Sequence, residues 1–85
     1  MPLTTHQETA VTITAVSPYG SEADANGTLA FIDLAKHPSW WSPDIPAPQV
    51  GDRLHTVVLD ATRTPPRLSA LQKDMEIARV LRSRG

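Results

Sequence analysis

The chain has 85 residues, of which 40% are hydrophobic and 20% charged, so it is one small domain with enough apolar content to fold rather than stay disordered. A net charge of -1 excludes a strongly basic, non-specific nucleic-acid binder, and the absence of cysteine excludes disulfides and thiolate metal sites.

Residues Met1 to Thr9 are polar and unpatterned and are expected to form a flexible N-terminal segment, with His6 solvated. No basic, then apolar, leader is visible there. The most apolar window, Leu29 to Ala35, is interrupted by Asp33, so neither a secretion signal nor a membrane span is expected and a cytoplasmic location is.

From Ala10 onward a two-residue period sets in. Val11, Ile13 and Ala15 alternate with Thr12 and Thr14, the pattern of a strand with one apolar face. Ser17-Pro18-Tyr19-Gly20 breaks it with a corner, because proline fixes φ and glycine accepts positive φ. A second short strand, Glu22 to Ala25, runs into Asn26-Gly27, a strong two-residue hairpin signal. A third strand spans Leu29 to Ala35, with Ile32 and Leu34 on the core side and Phe31 and Asp33 on the other.

The segment from His37 to Pro48 holds half of the eight prolines, which excludes helix beyond a single turn. Trp40 and Trp41 lie within it; at least one indole is expected to plug the end of a small barrel, the alternative being a docking or base-stacking surface. Val50-Gly51-Asp52 then turns into a fourth strand, Arg53 to Asp60, that becomes apolar on both faces near its end. Pro65-Pro66 keeps the next connection out of a central ladder, and Arg67-Leu68 supplies a brief fifth strand. Ser69 and Gln72 have capping-box spacing, and Leu71, Met75, Ala78 and Leu81 follow at helical intervals, so a helix is expected to begin near Ser69. Its basic residues, Arg79, Arg82 and Arg84, gather toward the C-terminal end, where the helix dipole favours them.

The ordered set Tyr19-Gly20, Phe31-Ile32-Asp33-Leu34, Val50-Gly51-Asp52 and Arg67-Leu68-Ser69 resembles the RNA-binding domain of the ribosomal protein S-one type, over Ala10 to about Leu71. That resemblance implies a mainly β fold, a five-stranded OB-fold-like small barrel at 10–71, with the C-terminal amphipathic helix at 69–85. It also implies single-stranded RNA as partner and a nucleic-acid-binding set of Tyr19, Phe31, Arg53, His55 and Arg67. Tyr19 stands at the family's first stacking aromatic, Phe31 at the exposed apolar residue beside it, and Arg67 at the bordering cation. Arg53 and His55 match outward polar positions on the fourth strand. Two positions depart: Glu22 replaces the second stacking aromatic, and Asp33 replaces a histidine.

On a second reading the same barrel is a protein-interaction module whose RNA face Glu22 and Asp33 have altered. Separately, a purely structural reading of the same residues has Tyr19 capping the barrel, Phe31 packing on the loop tryptophans, and Arg67 pairing with Glu22 or Asp33. No cofactor is expected, and no catalytic role. Glu22, Asp24 and Asp33 form no recognisable acid-base pocket, and His6, His37 and His55 are too scattered in sequence for a local zinc motif.

Overall fold

The computed structural model describes residues 3–84. Five strands, β1 (Glu8–Ser17), β2 (Gly20–Ala25), β3 (Thr28–Asp33), β4 (Arg53–Asp60) and β5 (Arg67–Ser69), close into a barrel in the order β1-β2-β3-β5-β4. Every pair is antiparallel except β3 with β5, where Phe31 faces Arg67 and Ile32 faces Leu68. One turn of helix, α1 (Pro38–Trp41), lies between β3 and β4, and α2 (Gln72–Arg84) follows β5. This is the small OB-like barrel with a C-terminal helix that the sequence predicts.

The alternation in the sequence becomes the inside and outside of the barrel. Val11, Ile13, Ala23, Ala25, Ala30, Ile32, Val58 and Leu68 form one buried cluster. Ala23 and Ala30 are register partners, and these small residues let the strands curve around the larger Ile13, Ile32 and Leu68. At Asn26-Gly27 both residues have positive φ, 54° and 90°, the backbone of a type I′ hairpin turn, and the Asp24 carboxylate accepts the Gly27 N–H at 3.0 Å. Asp24 therefore serves the turn, and its register partner is Leu29, two residues along β3 from Glu22's partner, Phe31.

Several boundaries differ from the sequence reading: β2 begins at Gly20 rather than Glu22 and β3 at Thr28 rather than Leu29, and three others bear on the site or the helix. β1 begins at Glu8, two residues earlier than Ala10, and the residues before it are paired with the barrel. His6 N–H donates to Val58 O, Val58 N–H donates to Gln7 O, each at 2.8 Å, and Leu3 packs against the core. Backbone pairing needs no side-chain periodicity, which is why an unpatterned segment hid it. The expectation for residues 1 and 2 lies outside the described residues. β3 ends at Asp33, and Leu34–Lys36 is a 3-10 turn, so Leu34 leaves the strand. Helix α2 starts at Gln72, not near Ser69. Ser69 Oγ accepts the Leu71 N–H at 3.0 Å and donates to Asp74 at 2.6 Å, so Asp74 and not Gln72 answers the serine.

β4 is apolar on both faces for a reason beyond barrel closure. Val58 points into the barrel, while Val57 lies outside it under Met75 and Ala78 of α2, with Leu59 beside them. Burying a methionine-sized side chain stabilises by about 1.5–3 kcal/mol, so this small second core is enough to dock the helix. At its edge, Glu8 accepts hydrogen bonds from Arg79 (Nε 3.0 Å, Nη2 2.8 Å), from Arg82, and from His55 at 2.7 Å. Those bonds hold the Glu8 carboxyl far below the usual carboxylate range. A depressed folded value means the contribution is complete above the ordinary value near 4.5 and is lost as pH falls through the folded one. Amide exchange in α2 is therefore expected to accelerate relative to the barrel as pH falls below about 4.5, and Glu8→Gln should remove that acid dependence. Equal protection of α2 in both proteins across pH 5 to 2 would contradict it.

The tryptophans correct the sequence reading outright. Trp40 is 56% exposed and Trp41 63% exposed, so neither plugs the barrel. The buried member of this loop is His37, 1% exposed, whose Nε2 lies 3.0 Å from Ser21 Oγ. Burial pushes the His37 pKa below its ordinary 6.5 and favours the neutral ring. Trp40→Ala is expected to change stability by less than about 1 kcal/mol, against the 3–5 kcal/mol of a buried indole, with native emission like that of indole in water. Urea melts and emission spectra check both.

Candidate nucleic-acid interface

Tyr19 occupies the tip between β1 and β2. Ser17 Oγ accepts the Tyr19 N–H at 3.3 Å and donates to the Gly20 carbonyl at 3.2 Å, which tightens the corner. The phenol ring is left 81% exposed, so it does not cap the barrel. Gly20 is required here. A Cβ on it would stand 2.2 Å from the Ile32 carbonyl and 2.8 Å from two ring atoms of Phe31, so the Phe31 ring covers the space that glycine leaves.

Phe31 lies on β3 directly across from Glu22 on β2 and beside Arg67 on β5. The Arg67 guanidinium sits 4.7 Å from the Phe31 ring centroid, a cation–π contact, and its Nη1 donates to Asp33 Oδ1 at 2.7 Å. Its Nε is enclosed and donates to no acceptor among the described residues. Ala15, Val16, Ser17, Glu22 and Phe31 line a shallow groove of about 210 Å³ beside these groups. Phe31 and Arg67 thus stand on neighbouring strands with Glu22 and Asp33 beside them, and Tyr19 stands in the turn that leads into β2. The arrangement offers two aromatic surfaces and one cation, with that cation held by a carboxylate.

Arg53 and His55 are not part of this face. Arg67 is the register partner of Asp60, at the opposite end of β4 from Arg53. Seven residues of strand separate the two positions, roughly 23 Å at 3.3 Å per residue. His55 is engaged by Glu8, as are Arg79 and Arg82. The family register gave Arg53 and His55 an outward direction but not a place along the strand. Sequence reading missed Glu8 as the hub of these cations; a single acid in an unpatterned stretch carries no signal for it. Among the described residues no cluster of three or more histidine, aspartate or glutamate side chains could hold a metal ion.

No protein-family model matches the chain. No curated protein sequence matches it either. Solved structures do share its fold. An uncharacterized protein from Methanocaldococcus jannaschii superposes with a TM-score of 0.67 at 13% identity, over 85% of this chain and 97% of that one. GSP13 from Bacillus subtilis gives 0.62 at 17% identity, over 79% of this chain and 53% of its own. A multidomain protein with nucleic acid binding domains from Streptococcus pneumoniae gives 0.65 at 16% identity, over 100% of this chain and 32% of its own.

Proposed function

We propose that the protein is a single-stranded RNA-binding module of the ribosomal protein S-one type, acting without catalysis, in the cytoplasm, as a weak binder or as part of a ribonucleoprotein. The observation that carries this reading is the Phe31–Arg67 pair on β3 and β5 with an 81%-exposed Tyr19 in the adjoining turn, whose carbonyl accepts the Leu34 N–H at the end of β3. Bases stack on the aromatic rings, and the guanidinium, 4.7 Å from the Phe31 ring centroid, meets a phosphate or extends the stacking surface. The pneumococcal neighbour, a protein with nucleic acid binding domains, supports the same direction.

A titration of fluorescently labelled single-stranded RNA at two salt concentrations tests it, since affinity falls with a log-log slope of about -0.7 per phosphate neutralised. A shallow slope is expected, because few cations on this face are free. Tyr19→Ala should weaken binding by about 1–2 kcal/mol, roughly five- to thirtyfold, from the loss of one stacking surface. Binding that ignores both salt and Tyr19 would overturn the reading.

One observation favours a second reading, a protein-interaction module on the same barrel. The Asp33 carboxylate holds the cation of this face at 2.7 Å, which lowers its availability to phosphate. On that reading RNA does not bind at either salt concentration, and a protein partner covers Tyr19.

A further inference from the structure

A second concavity, of about 460 Å³, lies between α1 and the start of α2, walled by Trp41, Ile45, Leu71 and Lys73 and edged by Ser42 and Gln72. Its aromatic wall is fixed in place. The Trp41 indole N–H donates to the Ala35 carbonyl at 2.7 Å, so the ring is tethered at one edge while the side chain stays 63% exposed. Lys73 Nζ stands 5.6 Å from the Trp41 ring centroid, and no carboxylate among the described residues lies within ion-pair distance of it. Lys36, by contrast, is paired with Asp74 at 3.1 Å.

We propose that this concavity is a second nucleotide station for single-stranded RNA, in which a base stacks on Trp41 and the adjoining phosphate takes up Lys73. The proposal rests on the RNA-binding reading above and extends its footprint. A tethered, exposed ring needs little ordering to receive a base, and the lysine on a flexible stem has only a weak partner to give up. Gln72 and Ser42 supply donors and acceptors for a base edge at the rim. The station also lies within reach of the first. Leu34 N–H donates to the Tyr19 carbonyl at 3.0 Å, and the next residue, Ala35, holds Trp41. Consecutive residues bridge the two, so the Tyr19 carbonyl and the Trp41 ring nitrogen are separated by roughly 13 Å or less. A single strand that stacks on Tyr19 can continue to Trp41, within the 4–16 nucleotides or so that one OB fold occupies.

Trp40→Phe leaves Trp41 as the sole indole, because the chain has two tryptophans. Its emission is followed while RNAs of about two and about ten nucleotides are titrated, the first too short to hold both rings and the second near the middle of the OB-fold range. The longer RNA is expected to quench Trp41 and to bind about five- to tenfold more tightly than the shorter, the lower part of what one stacked base gives. Trp41→Ala should erase that length advantage while leaving the dinucleotide's affinity unchanged. Lys73→Ala should reduce the salt slope of the longer RNA by about 0.7. If the longer RNA binds Trp41→Ala and Lys73→Ala as well as the parent, the station is wrong and the first site stands. If neither RNA binds the parent, the RNA reading falls and takes the station with it. Quenching of Trp41 by a short acidic leucine-containing peptide, with no competition from RNA, would assign the concavity to a protein partner instead.

Discussion

Gly20→Ala is expected to destabilise the fold by about 3–4 kcal/mol, the sum of backbone strain at an unfavourable φ and of overpacking. At φ +152° an added methyl would stand 2.2 Å from the Ile32 carbonyl, which cannot move without breaking the β2–β3 ladder, and 2.8 Å from the Phe31 ring. Domains of this size have only about 5–15 kcal/mol of stability, so the loss is a large fraction of the whole. Urea unfolding measures it. A loss below about 1 kcal/mol would mean that β2 can shift away from β3 at low cost. The same substitution pushes on Phe31, so stability and the shape of the face change together.

The largest expected gain concerns binding. Glu22→Phe with Asp33→His should tighten single-stranded RNA binding by about 2 kcal/mol, roughly thirtyfold. Glu22 is the register partner of Phe31, so a phenylalanine there creates a cross-strand aromatic pair along the groove. Removing the Asp33 carboxylate frees the Arg67 Nη1 that it now holds. Two negative charges also leave the neighbourhood of any bound phosphate, inside the Debye length of about 8 Å at physiological salt. Unchanged affinity in a folded double variant would move the RNA site elsewhere, and the protein-interaction reading would lead.

The barrel was legible because its signals are local. Alternation in Val11-Thr12-Ile13, the Asn26-Gly27 turn and the Val50-Gly51-Asp52 turn each act through backbone geometry a few residues long. The pairing of Arg67 with Asp33 was legible as one of two options, because neighbouring strands left few acids within reach. What the sequence concealed depends on distant contacts. The exposure of Trp40 and Trp41 follows from how a proline-rich loop lies on the barrel, and such a loop has no period from which a buried side can be read. The separation of Arg53 from Arg67 follows from the register of β4 against β5, including a shift between Val58 and Asp60, which no residue in either strand announces.

The contact of Glu8 with Arg79 and Arg82 has a topological consequence. It fastens the first strand to the last helix beside the β1–β4 seam, and in a ring ordered β1-β2-β3-β5-β4 the strand opposite that seam is β3. A polypeptide therefore enters and leaves the barrel on one side and carries Phe31 on the other. Inserted into a longer chain or strung with copies of itself, such a unit projects as a side branch from its point of attachment. Its neighbours crowd the seam, and the aromatic face stays turned outward.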